Sequence, residues 1–207
     1  MENLFGDVVD NKMLQAMPRY EGRTITQEDR AKEAWNLLDA GNKNTMALNY
    51  VRSLKNNYGS GVSTMCLVYN STGDNLSLNA SHDWSGHIGS APYPLEIGNG
   101  QWAAFLHIHG CGAKRGSIAS VVYRGKNKYG QDKDLLFAWS TPWGVRCNSA
   151  YCEIGNVDYF NNSGWDGTKG KLDDSDYSSE ATSDGCQIEA LSGTGISPLF
   201  SAKITAH

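Results

Sequence analysis

Residues 98–143, GNGQWAAFLHIHGCGAKRGSIASVVYRGKNKYGQDKDLLFAWSTPW, predict the fold class of this chain. Three apolar runs rich in β-branched and aromatic residues lie within them, at 102–108, 118–123 and 135–139. Glycines or charged residues bound each run, which is typical of strands that end in turns. We therefore predict three core strands here, with the rest of the chain added before and after them.

Further strand signals lie on both sides of this stretch. Residues 62–70 alternate and are followed by a Ser-Thr-Gly-Asp turn and a returning segment up to residue 84. Residues 150–154, 186–191 and 198–205 continue the pattern, whereas the polar, glycine-rich residues 156–184 resemble long loops. Short strands at this spacing predict a mainly β chain, an antiparallel β-sandwich.

The N-terminal part has helical rather than strand periodicity. Thr26 and Asp29 fit a capping box, and Gly41 ends the first predicted helix. A second helix is predicted over about residues 45–58. The apolar positions at helical spacing are Ala31, Ala34, Trp35 and Leu38 in the first helix and Leu48, Val51, Leu54 and Tyr58 in the second.

These patterns divide the chain into three parts. Residues 1–23 are an arm without periodicity, residues 24–59 are a helical hairpin packed on the sandwich, and residues 60–207 are the sandwich domain. The hairpin is expected to cover one side of the core. The alternative is a detachable amphipathic element that meets a membrane.

Composition favours a folded protein and disfavours several partners. Of 207 residues, 40% are hydrophobic and 19% charged, and the net charge is −4 without a Lys/Arg run, so no nucleic-acid partner is expected. No apolar run approaches the roughly 20 residues of a membrane span, and no signal peptide is evident. The five cysteines are an odd number without a CxxC motif, which predicts reduced thiols and a cytoplasmic location. A Cys147–Cys152 pair remains the alternative.

One candidate metal site lies at the end of the first apolar run. His107, His109 and Cys111 alternate, so they would project from one face of a strand and offer ligands to zinc or copper. The alternative is two polar histidines on the outer face of that strand, without a metal. No other cofactor is expected.

Nothing in the sequence predicts a catalytic residue. Ser81, His82 and Asp83 are adjacent, and neighbours in a strand point to opposite faces, so they cannot form a triad by themselves. A GxSxG motif is absent from the sequence. A non-catalytic binding protein is therefore the expectation. Aromatic residues in predicted loops are either core anchors or a flat patch for a sugar ring or a lipid headgroup.

The sequence resembles the jasmonate-induced plant proteins of the 23 kDa type. Four segments carry the resemblance: YGSGVSTMCLVYNSTGDNLSL, SHDWSGHIGSAPYPLEIGNGQWAAFLHIH, GSIASVVYRGKN and LLFAWSTPW. They span residues 58–143. The resemblance implies a protein of the plant stress and defence response.

The order of segments is also similar, more distantly, to the actinoporin-like sandwiches: sea-anemone pore-forming toxins, fungal fruit-body lectins and aegerolysins. The resemblance implies a β-sandwich flanked by helices that binds a lipid headgroup or a glycan. It implies a pocket lined by Ser140, Pro142 and Trp143, with Val121 (or its neighbour Val122) from the preceding strand. The loop aromatics that complete the predicted ligand-binding set are Tyr151, Tyr159 and Trp165, with Phe160 beside them.

We therefore predict a stress-related, non-catalytic protein that recognises a membrane-lipid headgroup or a glycan through loop aromatics, with peripheral membrane contact. Three alternatives remain at this stage. They are a pore-forming cytolysin of the actinoporin type, a metal-binding protein that uses the two histidines and Cys111, and a storage or chaperone-like stress protein.

Overall fold

The computed structural model describes residues 3–110, 116–144 and 147–206, and these form two stacked β-sheets flanked by helices. The helices are α1 (Asn11–Gln15), α2 (Gln27–Asn36), α3 (Lys43–Tyr58), α4 (Tyr159–Ser163) and α5 (Trp165–Asp173), with 3₁₀ turns at Pro18–Tyr20 and Ala40–Asn42. The strands are β1 (Leu4–Phe5), β2 (Ser63–Ser71), β3 (Leu76–Ser85), β4 (His87–Ile88), β5 (Glu96–Ile97), β6 (Trp102–Ile108), β7 (Ser117–Lys126), β8 (Asp132–Thr141), β9 (Ser149–Gly155), β10 (Ser178–Ser183), β11 (Cys186–Ser192) and β12 (Leu199–Ala206).

The two sheets have different strand orders. The seven-stranded sheet runs β1-β6-β2-β12-β11-β10, with β4 also paired to β6, and the five-stranded sheet runs β5-β3-β7-β8-β9. Among the described strands, all pairs are antiparallel except β2 and β12, where Met65 lies opposite Leu199 in a parallel pair. The predicted mainly β sandwich is confirmed, and this parallel pair is the departure from a purely antiparallel one.

The three predicted core strands are present, but they belong to two sheets. β6 lies in the seven-stranded sheet, whereas β7 and β8 are neighbours in the five-stranded sheet. Ile108 at the end of β6 and Ser117 at the start of β7 therefore belong to different sheets. The sequence pattern predicted these strands without assigning them to a sheet.

The core between the sheets is centred on Trp139 of β8. Its side chain is fully buried, and its ring lies 6.0 Å from Phe105, 5.6 Å from Phe200 and 5.4 Å from His107, measured between centroids. These three residues come from β6 and β12, so the tryptophan joins the two sheets. Large apolar side chains that pack at such distances stabilise a sandwich by removing apolar surface from water.

Helix α3 covers the outer face of β2 and β6. Ala47 and Val51 are fully buried there, against Leu67 and Leu106. Both faces of β6 are consequently buried, one by the opposite sheet and one by the helix, which explains why this strand is a nearly continuous apolar run. The helix begins at Lys43, two positions before its predicted start.

Helix α2 begins with the predicted capping box. The Thr26 hydroxyl accepts a hydrogen bond from the Asp29 backbone N–H, and the Asp29 carboxylate accepts one from the Thr26 backbone. Ala31 and Ala34 are buried as expected, but the Trp35 side chain is 40% exposed. Since each helical residue turns by about 100°, Trp35 lies at the edge of the apolar stripe rather than at its centre.

The N-terminal arm packs on the sandwich along its described length. β1 pairs with β6, and Val9 and Leu14 are buried in a cluster with Ala34. Glu33 of α2 is also buried, and it accepts hydrogen bonds from the Tyr20 hydroxyl and the Arg19 guanidinium. The arm is thus held by both apolar and polar contacts that its aperiodic sequence did not predict.

Residues 156–184 are not the long loops that their polar composition predicted. They contain α4, α5 and β10. Phe160 and Leu172 are buried against Val122, Leu136 and Ala138 on the outer face of the five-stranded sheet. Packing of these few apolar residues therefore overrides the low helix propensity of two glycines in α5.

Candidate functional site

Three loops meet at one end of the sandwich, where β8, β11 and α5 end. We call this the loop end; it comprises residues 142–144 and 147–148, 174–177 and 192–198. The Asn148 side-chain amide donates to the carbonyl oxygens of Gly193 and Gly195, both at 2.9 Å. The Ala150 backbone N–H donates to the Asp176 carbonyl oxygen at 2.9 Å. Hydrogen bonds therefore hold segments distant in sequence as one surface.

Two adjoining pockets open at the loop end. The first, of about 530 Å³, is lined by Tyr177, Ile196 and the glycines of the β11–β12 loop. The second, of about 420 Å³, is lined by Ser140, Ser149 and the end of α5. Their shared walls are Pro142, Cys147, Asn148 and Asp176. Together they form a cleft with one mostly apolar and one mostly polar half.

Three large apolar side chains stand out from the loop end. Trp143 is 50% exposed, Tyr177 59% and Ile196 62%. We call these residues the apolar rim. Single exposed apolar residues are ordinary on protein surfaces, but three on neighbouring loops at one end indicate a contact surface. Trp and Tyr are also the side chains that suit the boundary between water and lipid.

Among the described residues that line the cleft, two are acidic, Asp173 and Asp176, and one is basic, Lys169. Asp173 forms an ion pair with Lys169, but within the described residues the Asp176 carboxylate has no cationic partner and accepts only the Tyr177 backbone N–H, at 2.7 Å. An unpaired carboxylate beside an aromatic ring attracts a cation, since both the negative charge and the ring face favour it. The described part of the cleft is therefore suited to a positively charged group of a ligand.

The predicted ligand-binding residues divide into two groups. Ser140 and Pro142 line the cleft, and Trp143 belongs to its rim. Val121 is fully buried in the core between the sheets, so it lines no surface and its assignment to the pocket is wrong. Its neighbour Val122 is buried beneath α5. Strand alternation places one valine in the core and the other under the helix.

Tyr151, Tyr159 and Trp165 lie on the outer face of the five-stranded sheet, and none of them lines the cleft. The Tyr151 hydroxyl donates a hydrogen bond to the Glu153 carboxylate at 2.8 Å. Burial raises the pKa of Tyr151, and this hydrogen bond raises it further. Trp165 stacks on His82 with 5.1 Å between ring centroids and an 8° interplanar angle. These rings pack beside α4 and α5, and they do not belong to the same site as Ser140.

The two histidines of the predicted metal site point to opposite sides of the seven-stranded sheet. The His107 ring faces the five-stranded sheet, where Nδ1 lies 2.8 Å from the Ser117 hydroxyl and Nε2 3.2 Å from Asp83. The strand ends at Ile108, and the His109 ring lies against Tyr58 of α3. The alternative that placed both histidines on an outer face is therefore wrong for His107.

Metal ligation by these residues gains no support from the described part of the chain. Cys111 lies outside the described residues. Within them, no group of three or more His, Cys, Asp or Glu side chains is placed to hold a metal ion. The four described cysteines, Cys66, Cys147, Cys152 and Cys186, are free thiols, so Cys147 and Cys152 are not paired.

Asp83, His107 and Ser117 form a hydrogen-bonded series that the sequence did not reveal, because its members come from three strands. It contains the groups of a catalytic triad, but the Ser117 hydroxyl is fully buried and also bonds to Thr64 at 2.7 Å. A nucleophile needs access to its substrate, and the described pockets do not reach this serine. The series is a polar link between the two sheets, with His107 and Ser117 buried and Asp83 exposed at its outer end.

The burial of His107 leads us to expect that the protein loses stability in acid. Burial lowers the pKa of His107 below its ordinary 6.5, with nearby His87 acting in the same direction and Asp83 opposing it. The unfolded chain therefore binds this proton first, so the stability is complete above about pH 6.5 and falls as the pH drops towards the lowered pKa. We expect Tm to fall from about pH 7.5 to about pH 5, and His107→Gln to remove part of that slope.

The matched control for this measurement is His109→Gln. The His109 ring is partly exposed, and its Nδ1 lies 2.6 Å from the neighbouring Gly110 carbonyl oxygen. The variant should keep the wild-type dependence of Tm on pH. An unchanged slope in His107→Gln would contradict the prediction.

No helix among the described residues is long and apolar enough to cross a membrane.

Comparison with known sequences finds a family model that spans nearly the whole chain, the "Nakanori-like protein" family, matched over residues 5–206. The "23 kDa jasmonate-induced protein" of Hordeum vulgare is 40% identical over 165 residues, which are 79% of this chain and 78% of that protein. The "Jasmonate-induced protein homolog" of Atriplex canescens is 35% identical over 114 residues, 54% of this chain and 60% of that protein. The predicted resemblance to the jasmonate-induced family is confirmed.

Comparison with solved structures finds the same architecture in the crystal structure of the lipid binding protein Nakanori. The TM-score is 0.89 at 26% sequence identity, over 98% of this chain and 99% of that one. The similarity therefore includes the helices and the loops as well as the two sheets.

Proposed function

Since this chain belongs to the Nakanori-like protein family, we propose that it is a stress-related protein that binds membrane lipid. The observation that carries the proposal is the similarity over 98% of the chain to a protein described as lipid binding. The jasmonate-induced relatives support the stress-related part. The cytoplasmic location predicted from free thiols is kept as part of the proposal.

We place the lipid contact at the loop end. The apolar rim of Trp143, Tyr177 and Ile196 would enter the headgroup layer, because half-exposed aromatic and aliphatic side chains gain free energy when they leave water there. Behind the rim, the cleft would receive the headgroup. Asp176 and the Tyr177 ring favour a headgroup with a positively charged end, such as a choline or an ethanolamine.

Binding without insertion of a helix is favoured over pore formation. Release of α3 would expose Ala47 and Val51 together with the face of β6 that they cover. It would also break the hydrogen bonds of the buried Lys43 ammonium to the Tyr69 hydroxyl at 3.1 Å and the Gly100 carbonyl oxygen at 2.7 Å. Both contacts hold α3 on the sheet, so peripheral contact is the simpler mode.

The proposal predicts that Trp143→Ala and Tyr177→Ala weaken binding to vesicles. Each removes a half-exposed side chain from the membrane contact, which is worth about 1–2 kcal/mol, or about 5- to 30-fold in affinity. The measurement is co-sedimentation with phosphatidylcholine vesicles with and without sphingomyelin. Asp176→Asn should weaken binding to these vesicles and leave the weaker binding to phosphatidylglycerol unchanged or improved.

The matched control is Tyr129→Ala. Tyr129 is 67% exposed and lies in the β7–β8 turn, at the opposite end of the sandwich. This variant should bind as the wild type does. Dye leakage from the same vesicles separates binding from pore formation. Wild-type protein that sediments with no vesicle, or equal losses in Tyr129→Ala and Trp143→Ala, would refute the loop-end site.

A further inference from the structure

A second, smaller pocket lies on the outer face of the seven-stranded sheet, beside α2. Its volume is about 170 Å³, and its lining is Trp35, Gln187, Glu189, Lys203 and Thr205. Pockets for drug-sized ligands begin at roughly 300 Å³, so this one has room for a single small ring. It is too small for an acyl chain or a nucleotide.

Four polar side chains form the floor of this pocket. Gln187 lies opposite Thr205 and Glu189 opposite Lys203 in the antiparallel pair of β11 and β12. The intervening Ile188 and Ile204 are buried in the core, so the four polar residues point outward on one face. Within the described part of the chain, none of the four makes a side-chain hydrogen bond, and their donors and acceptors are available to a ligand.

Trp35 forms a wall of the pocket. It is the residue that departs from the buried stripe of α2, with 40% of its surface exposed. The Lys203 ammonium lies 5.9 Å from the centre of its ring, which brings the tryptophan over the strand floor. A partly exposed indole beside free polar groups offers an apolar plane and hydrogen bonds to the same ligand.

The size of the pocket, its polar floor and the Trp35 ring together indicate the chemical class of the ligand. A sugar ring has apolar C–H faces that stack on an indole and hydroxyl groups that both donate and accept hydrogen bonds. The floor supplies a carboxylate and an amide oxygen as acceptors, and an ammonium and an amide as donors. Glu189 and Lys203 cancel in charge, so the pocket is not suited to a phosphate or to an organic cation.

We propose that Trp35, Gln187, Glu189, Lys203 and Thr205 form a binding site for one saccharide ring. The site is independent of the lipid contact. The pair Gln187–Thr205 lies near the strand ends Cys186 and Ala206, away from the loop end, where Ser192 lies opposite Phe200. A protein docked on a membrane through its loop end would keep this pocket free.

The test is a saccharide titration of the intact protein. Glucose, galactose, mannose, xylose and N-acetylglucosamine are screened by saturation-transfer NMR, and calorimetry measures the affinity of each sugar that gives a signal. We expect at least one to bind with a Kd of about 1 mM, the strength of a few hydrogen bonds and one stacked ring. Trp35→Ala should weaken this binding about tenfold or more, because both the stacking plane and a pocket wall are lost.

Two further variants separate the site from the fold. Trp35→Phe keeps an aromatic plane and should retain most of the affinity for the sugar. Glu189→Gln removes a charged hydrogen-bond acceptor and should lower that affinity several-fold. Tyr129→Ala is the control and should bind as the wild type does. Vesicle binding should be unchanged in Trp35→Ala, so failure of the saccharide site and failure of the lipid site are distinguishable.

Either of two results would overturn the proposal. One is the absence of any saturation transfer from the five sugars at concentrations well above about 10 mM. The other is a Trp35→Ala protein with a wild-type Tm that binds sugar as strongly as the wild type. If Trp143→Ala weakened sugar binding as much as Trp35→Ala does, the sugar would bind at the loop end. That result would also contradict the proposal.

Discussion

Arg124→Met is expected to lower the free energy of unfolding by about 3–5 kcal/mol, because it leaves a buried carboxylate without its cation. Asp134 is fully buried, and it accepts hydrogen bonds from Arg124 Nε at 2.8 Å and Nη2 at 3.1 Å. The same carboxylate accepts from the Asn79 amide at 3.2 Å and the Asp158 backbone N–H at 2.7 Å. The hydrogen bonds to Asp134 and Asp158 also raise the pKa of Arg124.

The measurement is urea unfolding of Arg124→Met, with two companion variants. The double variant Arg124→Met/Asp134→Leu removes the stranded charge and should recover much of the loss, because apolar pairs of similar volume often replace buried ion pairs. Lys126→Met removes the neighbouring ion pair with Asp132, which is exposed on both sides, and should change little. A single variant as stable as Lys126→Met would contradict the argument.

Trp139→Ala is expected to cost a similar amount, about 3–5 kcal/mol, and to loosen the contact between the sheets. Trp139 is the largest fully buried side chain of those described, and its ring packs on β6 and β12 of the opposite sheet. Its removal leaves a cavity that neither rigid sheet can close, so the lost transfer free energy and the cavity add together.

Trp139→Phe serves as the comparison. The Trp139 indole Nε1 has no hydrogen-bond partner within the described residues, so replacing it by phenylalanine sacrifices no hydrogen bond and leaves a smaller cavity. We expect this variant to lose less than half as much as the alanine variant in urea unfolding. Equal losses in the two variants would contradict the packing argument.

The sequence predicted strand positions well and strand partners poorly. β6 was predicted with its observed bounds, and the runs at 118–123 and 135–139 fall inside β7 and β8. The apolar pattern does not reveal which sheet a strand joins. When both faces of a strand are buried, as in β6, the pattern also does not reveal which face points towards the opposite sheet. For this reason His107 was expected on the outer face, whereas it points towards the five-stranded sheet.

The sequence predicted those residues of the candidate site that follow a strand, and it missed those in the other loops. Ser140, Pro142 and Trp143 were found because they follow a recognisable strand. Tyr177 and Ile196 were missed, since each is an isolated apolar residue in a Gly/Ser/Asp-rich segment. Hydrogen bonds such as those of Asn148 and Ala150 bring those segments beside Pro142, and such long-range contacts leave no local pattern.

The parallel pair of β2 and β12 also has a consequence for how the chain is made. β12 occupies the middle of its sheet, between β2 and β11, although it follows all the other described strands along the chain. During synthesis the sheet therefore remains split, with the apolar edge of β2 unpaired, until residue 206 has emerged. Such late, distant pairing slows folding and prolongs the exposure of an aggregation-prone strand. In a nascent chain of this protein, the edge of β2 is therefore exposed until the last described strand pairs with it.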